Sequence, residues 1–311
     1  MQLTLGSTSA SCLFCSLRLY YSCWLSLQEL GFKMSVVIVV KVSEGLVLAA
    51  DSAATLMGKV IAPGIEQTSV LKTFYNARKV LQIGDLPIGV LTWGQAFVGS
   101  RTLESLVREW EHDAHWESSE QYRAEHPKES FGVRQCAKGL MDHLAKAHES
   151  EFSHLPKEQR PGTGMIVAGY SEGKFFPEVW RFTVPFDDKV HNQRPDRDDG
   201  KPDFGASWFG MTDSIVRLHF GRDQKATKVI SEKFGIPEAE IVDALAPLQY
   251  VVPFAQMPLQ DAIDYANYMV NVVIGRFRFV LGPESCGGEV DIAAITQRKF
   301  SWISRKSWKT E

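Results

Sequence analysis

Hydrophobic and polar positions near the start of the chain predict two buried strands joined by a turn. Residues 35–42 and 46–50 are almost continuously apolar and rich in β-branched side chains, which favour strands. Gly45 lies in the short polar break between them, so the pattern predicts a β-hairpin. Because apolar and polar residues do not alternate in either run, both faces of each strand are expected to be covered by other parts of the protein. The second run ends at Asp51, and a carboxylate at the end of a buried strand needs a partner.

Further strands and helices are predicted along the rest of the chain. Residues 79–83 alternate with the period of a strand, and the apolar run 87–94 ends at Gly94. The other predicted strands are 71–75, 165–170, 178–182, 205–210, 290–295 and 299–303. Apolar residues suggest helices at 96–110, 132–148, 212–220, 237–246 and 259–279. This order predicts an α+β fold in one domain, residues 34–311, with two antiparallel sheets covered by helices.

Composition and charge exclude several classes of protein. The 311 residues carry a formal net charge of −3, which does not indicate a nucleic-acid partner or an anionic membrane surface. Of the five cysteines, three fall before residue 34, so no disulfide framework is predicted and a reducing cytoplasm is favoured. His112 and His115 are candidate metal ligands, but their polar surroundings favour a solvated loop. We therefore expect no metal site and no cofactor.

The first 33 residues differ in composition from the rest of the chain and are predicted to lie outside the domain. They are rich in Ser, Cys and aromatic residues and show neither helical nor strand periodicity. The apolar run lacks a preceding basic segment and is interrupted, unlike a signal peptide or a membrane-spanning helix. Cys12 and Cys15 have no second pair of metal ligands. Three interpretations remain: a propeptide, a membrane-touching tail, or an upstream extension absent from the working protein. We favour the last, because Met34 directly precedes Ser35.

The segment 35–55 resembles the N-terminus of proteasome β-type subunits of the bacterial type, which are N-terminal-nucleophile (Ntn) hydrolases. In that family the mature chain begins with a nucleophile, usually Thr, and the second strand ends in the sequence Ala-x-Asp-Ser. In this chain the same Ala-x-Asp-Ser sequence occupies residues 49–52. In the family, the first residue of the mature chain lies 16 positions before this aspartate. Counting back 16 positions from Asp51 reaches Ser35. The resemblance therefore implies that Ser35 is the first residue of the working protein.

The segment 79–94 is also similar to this family, in which a lysine opens one strand and a glycine closes the next. The resemblance covers about residues 35–303, with insertions near 56–70, 111–130 and 186–203. It implies a four-layer αββα sandwich, the Ntn hydrolase fold, in which two antiparallel sheets lie between helix layers. It also implies self-assembly into a ring or helical homo-oligomer.

The resemblance assigns catalytic roles to four residues. A serine hydroxyl is a poor nucleophile until a base takes its proton. An N-terminal Ser35 would carry that base as its own α-amine, whose ordinary pKa of about 7.7–8.0 suits the task. Lys79 would keep the amine neutral, Asp51 would pair with Lys79, and the N–H of Gly94 would stabilise the oxyanion. Lys72 is a rival for the role of Lys79.

The sequence departs from the family at four of its usual positions. Ala53 stands where the family has Arg after Asp-Ser. Before the closing hairpin, Pro283 and Cys286 stand where many members have Asp and Ser. The family's further serine near Gly210 has no clean match. These departures concern the groups that would surround the amine.

Three functions are compatible with these patterns. The first is an amide-bond hydrolase, a threonine-protease-like peptidase that uses Ser35 on a peptide or amide substrate. The second is a catalytically inactive ring or scaffold subunit. The third is a small-molecule amidase or acylase. We expect the first, and the N-terminal residue of the native protein is the observation that separates it best from the second.

Overall fold

The computed structural model describes residues 35–62, 65–114, 132–282 and 284–307, and only the backbone between residues 57 and 69. The chain divides between Phe32 and Lys33, and all described strands and helices belong to the unit Lys33–Glu311. The predicted extension 1–33, the residues Cys12 and Cys15, and the positions His115 and Pro283 lie outside the described residues.

Fourteen strands and six α-helices are present in these described ranges. The strands are β1 (Val36–Val42), β2 (Gly45–Ala50), β3 (Ala54–Ala62), β4 (Ile65–Phe74), β5 (Val80–Gln82), β6 (Ile88–Gly94), β7 (Phe97–Val98), β8 (Arg101–Thr102), β9 (Thr163–Gly169), β10 (Glu178–Val184), β11 (His191–Asn192), β12 (Gly205–Gly210), β13 (Asp291–Ile295) and β14 (Phe300–Ser304). The helices are α1 (Leu103–Asp113), α2 (Val133–Phe152), α3 (Asp213–Phe220), α4 (Gln224–Phe234), α5 (Glu238–Leu245) and α6 (Leu259–Phe279).

Two five-stranded antiparallel sheets contain most of these strands. The first has the order β12-β1-β2-β13-β14, and the second has the order β11-β10-β9-β6-β5. Within the first sheet, β1 is an inner strand: Val39 pairs with Ser207 of β12 on one side and Leu48 of β2 on the other. The predicted hairpin at the start of the domain is therefore present and lies inside the sheet.

The two sheets share an apolar core, which explains why β1 and β2 do not alternate. Val37 and Val39 of β1 pack in one cluster with Leu91 and Ile166 of the second sheet. Successive strand residues point to opposite faces, so the intervening residues of β1 face the other way, where α6 contacts β1 and β2. Both faces of β1 are therefore buried, as a continuous apolar run predicts.

Helices α1 and α2 build a second core against the opposite face of the second sheet. Helix α2 contacts β9 and β10, and α1 packs against α2. Trp110 of α1 lies against Gly139 of α2, where the small residue lets the indole ring approach the helix backbone. None of the helices in the described part of the chain has both the length and the apolar character that a membrane crossing requires.

The structure confirms an α+β fold with antiparallel sheets and corrects several elements. Residues 56–70, predicted as a polar insertion, belong to the hairpin of β3 and β4, and the short strand predicted at 71–75 is the end of β4. Helix α1 begins at Leu103 rather than near Ala96, because the small β7–β8 hairpin precedes it. Helix α4 was not predicted. Its N-cap Asp223 accepts the N–H of Ala226 at 2.8 Å.

Candidate active site

Ser35 lies directly before β1 and is buried, with 4% of its surface exposed. Its backbone N–H donates to the carbonyl of Ser285 at 3.0 Å, and its own carbonyl accepts the N–H of Met211 at 2.7 Å. These bonds hold Ser35 between the segment that precedes β13 and the segment that comes after β12. The Ser35 nitrogen thus already faces a hydrogen-bond acceptor.

Asp51 comes directly after β2 and is the most highly connected side chain near Ser35. Its Oδ1 accepts the backbone N–H of Val36 at 2.9 Å and the Nζ of Lys79 at 2.7 Å. Its Oδ2 accepts the N–H of Ala53 at 3.2 Å and that of Gly287 at 3.0 Å. These four donors satisfy the buried carboxylate, which offsets the cost of removing it from water.

Lys79 forms a buried ion pair with this carboxylate. The side chain of Lys79 is 5% exposed and that of Asp51 is fully buried. Lys79 directly precedes β5, and its carbonyl accepts the N–H of Thr92 at 3.0 Å, so the backbone beside the ion pair is fixed by β6. Lys72, the rival lysine, is exposed on β4. The geometry therefore favours Lys79 over Lys72 as the lysine of the site.

One oxygen atom connects the lysine to the start of β1. Asp51 Oδ1 is shared between the Lys79 ammonium and the N–H of Val36, the residue next to Ser35. The expected pairing of Asp51 with Lys79 is thus found as a 2.7 Å contact. The catalytic roles of these residues remain predictions.

The segment before β13 closes the site on the other side. Burial raises the pKa of the Cys286 thiol well above its ordinary value, and the negative charge of Asp51 acts in the same direction. The nearby backbone N–H of Ser35 acts in the opposite direction and lowers this pKa, but burial dominates. Cys286 therefore lies against the nitrogen of Ser35 as a buried, protonated thiol.

A glycine makes this close approach feasible. Gly288 has a φ of +79°, and a Cβ at that position would lie 2.5 Å from Ser52 Oγ and 3.0 Å from the carbonyl of Tyr75. Ser52 completes the junction, because its N–H donates to Gly287 and its hydroxyl donates to the carbonyl of Glu289. The segment is therefore fixed against the end of β2.

Gly94, the predicted oxyanion donor, lies at the end of β6. It pairs with Thr163 of β9 and has a φ of +89°, and a Cβ there would lie 2.5 Å from the carbonyl of Gly162. The preceding residue, Trp93, stacks on Phe209 with ring centroids 4.7 Å apart. Phe209 is a neighbour of Val37 across the β1–β12 ladder. Gly94 is thus connected to the start of β1 through this aromatic pair, and its role as an oxyanion donor stays a prediction.

Three backbone groups of the site were not assigned from the sequence. They are the carbonyl of Ser285 and the amide groups of Met211 and Gly287. The Gly287-Gly288 pair could have indicated the carbonyl of Ser285 and the amide of Gly287, because paired glycines mark a tight backbone segment. The amide of Met211 has no side-chain signature, so sequence patterns give no access to it.

Comparison with known proteins finds no matching family model and no match among curated proteins.

No cluster of three or more metal-ligating side chains occurs within the described residues. The site consists of a serine, an aspartate–lysine ion pair, a buried thiol and several backbone groups. Groups of these types can serve acyl transfer as a nucleophile and as fixed charges, and this use of them is a prediction.

Proposed function

We propose that this protein is an amide-bond hydrolase that uses Ser35 as an N-terminal nucleophile, similar to the β-type subunits of proteasomes. Its substrates are peptides or related amides. The observation that carries the proposal is the shared Asp51 oxygen, which links the buried Lys79 ammonium to the residue next to Ser35. A surface lysine that opens a strand would not need this arrangement.

In the proposed reaction, the α-amine of Ser35 takes the proton from its own hydroxyl as Oγ attacks the carbonyl carbon of the substrate. The amine then gives this proton to the leaving nitrogen, the C–N bond breaks, and an ester joins Ser35 to the acyl group. Water attacks the ester, the amine accepts its proton and returns it to Oγ, and the acid leaves. The positive charge of Lys79 favours the neutral amine at the start of each step.

The backbone of Ser35 supports a working chain that begins at this residue. Ser35 has a φ of +79° and is the single non-glycine residue with a positive φ in the ranges described. This conformation costs about 1–2 kcal/mol, because it brings Cβ close to backbone carbonyl groups. Removal of the preceding residue removes one of those carbonyls. The cost therefore falls when the chain begins at Ser35, and its nitrogen keeps the acceptor on Ser285.

The packing of helices on the two sheets supports a four-layer αββα sandwich for the same chain. Helix α6 contacts the first sheet, α2 contacts the second, and the two sheets share an apolar core. In the Ntn hydrolase fold this arrangement brings the N-terminal nucleophile to the end of an inner strand. Ser35 lies directly before the inner strand β1.

The test uses a peptide epoxyketone, which forms a ring with the hydroxyl and the free α-amine of one N-terminal residue. The protein is prepared so that it begins at Ser35, and intact mass verifies the first residue. We expect one adduct, mapped to Ser35, and no adduct on the Ser35→Ala variant. A chain that retains Met34 is the matched control, because its Ser35 has a hydroxyl but no free amine.

The other two functions predict different outcomes. A scaffold subunit forms no adduct even when the chain begins at Ser35, and this result would overturn the proposal. A small-molecule amidase ignores the peptide reagent but hydrolyses a simple N-acyl anilide, and the Ser35→Ala variant loses that activity. This second result would keep Ser35 as the nucleophile and replace peptides by small amides as the substrate.

A further inference from the structure

Lys41 lies near the other end of β1 and is an unusually buried lysine. It is 2% exposed and belongs to the largest fully buried side chains described. Because side chains alternate along a strand, Lys41 shares the face of Val37 and Val39, which pack in the core between the two sheets. An ammonium group in this position needs partners to offset its loss of hydration.

The partners of this ammonium are few within the described residues. Its Nζ donates one long hydrogen bond, 3.4 Å, to the carbonyl of Arg194. A lysine ammonium has three donors, so two remain available. Burial lowers the pKa of Lys41, and the negative charges of Asp196 and Asp203 raise it. Of these two acids, Asp203 already pairs with the Arg194 guanidinium at 3.0 Å.

A cavity of about 180 Å³ opens beside Lys41. Its wall combines apolar rings with charged groups. The apolar residues are Phe175, Phe176, Pro177 and Pro202, and the charged ones are Lys41, Lys174, Arg194, Glu178 and Asp196. The wall holds three cations and two carboxylates, and Asp203 behind it already pairs with one of the cations, Arg194, so the local charges balance and Lys41 is the buried cation with donors to spare among the described residues. The volume is below the ~300–1,000 Å³ of pockets for drug-sized ligands, so the cavity suits a small molecule.

We propose that this cavity binds a small monocarboxylate with an apolar body. The carboxylate accepts hydrogen bonds from the two available donors of Lys41, and the rings of Phe175 and Phe176 cover the apolar part. Phe175 is 70% exposed and meets Phe176 edge-on with ring centroids 4.9 Å apart, so apolar surface is available at the cavity. A dianion such as phosphate fits less well, because Glu178 and Asp196 already line the wall. This site does not depend on the proposed hydrolase activity.

The experiment measures binding by titration calorimetry on the full-length chain, which carries Ser35→Ala. Its ligands are phenylacetate, the neutral amide phenylacetamide, and inorganic phosphate. We expect phenylacetate to bind at least about tenfold more tightly than either of the others, because a charged acceptor strengthens the bond to an ammonium. Equal binding of phenylacetamide, or tighter binding of phosphate, would overturn the proposal.

Variants then assign the binding to this cavity. Lys41→Met removes the charge at similar length and should weaken phenylacetate binding about tenfold or more. Lys228→Met is the matched control, since Lys228 is exposed on α4 and is absent from the cavity wall. Phe175→Ala changes an exposed ring and provides a second variant if Lys41→Met does not fold. If Lys41→Met folds and both variants bind phenylacetate with the affinity of the parent chain, the ligand binds elsewhere and the proposed site is rejected.

Discussion

Two single residues of the site, Asp51 and Lys79, form one ion pair but have different numbers of hydrogen-bond partners. The carboxylate of Asp51 binds four donors, of which three are backbone amides. The ammonium of Lys79 has one hydrogen bond within the described residues, to Asp51. Removal of one member of a buried ion pair leaves the other charge unpaired and can cost about 3–5 kcal/mol. Changes at Lys79 must therefore be separated into effects on folding and effects on chemistry.

The first prediction concerns Lys79. Lys79→Ala should slow formation of the Ser35 adduct by about ten- to ten-thousand-fold, because the charge that keeps the amine neutral is lost. Lys79→Arg should not restore the rate, since a planar guanidinium does not fit the place of a compact ammonium. Lys72→Ala is the control, because Lys72 is exposed on β4. Adduct kinetics give the rate, and urea unfolding shows whether each variant remains folded.

Asp51→Asn extends this first test. It should slow the same reaction, and the double variant with Lys79→Ala should be little worse than the slower single variant, because the two groups act as one unit. Equal rates in the wild type and in a folded Lys79→Ala would assign Lys79 a purely structural role. Additive losses would show that the two residues act separately.

The second prediction concerns the thiols. A chain that begins at Ser35 contains two cysteines, Cys136 and Cys286, and both are buried and free. Burial raises the pKa of each thiol, so neither supplies a reactive thiolate near neutral pH. We expect no modification by iodoacetamide at pH 8 in the native state and two modified cysteines after unfolding. Rapid modification of Cys286 in native protein would contradict its burial against Ser35.

Ser35, Asp51 and Lys79 could be proposed together because they resemble positions of one family: Ser35 and Asp51 by their spacing, and Lys79 as the lysine that opens a strand. The pairing of Asp51 with Lys79 could be expected, since a buried charge requires an opposite one. The contribution of Ser285 could not be predicted, because it acts through its carbonyl, which every residue possesses. The buried thiol of Cys286 was visible as a departure from the family, but its position against the Ser35 nitrogen required the fold.

At the scale of elements, two helical glycines have different surroundings. A Cβ on Gly139 of α2 would lie 2.9 Å from Trp110 Nε1 and 3.1 Å from another atom of the same ring. A Cβ on Gly275 of α6 would meet nothing within 4 Å among the described residues. The helical preference for Ala is the same at both positions, so packing decides the outcome.

The third prediction rests on this difference. Gly139→Ala should lower the free energy of unfolding by about 1–3 kcal/mol, because the ring of Trp110 must move in a packed core. Gly275→Ala should raise it by up to about 1 kcal/mol, because alanine restricts the unfolded chain and favours the helix. Urea unfolding of both variants at one protein concentration measures the two effects. Stabilisation by Gly139→Ala would show that Trp110 does not pack closely against α2.

Elements with strong periodicity were predicted best. The long helix α6 has the bounds expected from its apolar spacing, residues 259–279. The β3–β4 hairpin was missed because the polar residues around Glu66 and Gln67 resemble a loop, and among the element contacts described its strands pair mainly with each other. Helix α4 was missed because seven of its eleven residues are polar and only Thr227 is buried within it.

At the scale of the whole molecule, the fold class is determined by the order of strands and helices. Alternating groups of strands and helices predicted antiparallel sheets with helices on them, and this coarse statement is confirmed. The pairing order within each sheet was not predictable, because β12 and β13 join β1 and β2 from distant parts of the chain. Such long-range pairs depend on packing rather than on local sequence.

The last prediction concerns assembly. An enzyme that cleaves peptides must keep folded proteins away from its nucleophile, and closed symmetric assembly is the usual arrangement of homo-oligomers. The end of α6 offers a surface for such contacts, because Phe279, Val280 and Leu281 are consecutive, apolar and exposed, with Leu281 fully so. We therefore expect the chain that begins at Ser35 to form a homo-oligomer at micromolar concentration.

Native mass spectrometry and light scattering measure this assembly. Leu281→Ser combined with Phe279→Ser should shift the population towards smaller species, because the change removes apolar area that a partner copy would cover. Phe175→Ser is the matched control: it removes a similarly apolar and exposed ring at the Lys41 cavity and should leave the mass unchanged. A wild-type monomer at micromolar concentration would contradict the assembly itself. An unchanged oligomer in the double variant would show that copies meet through another surface.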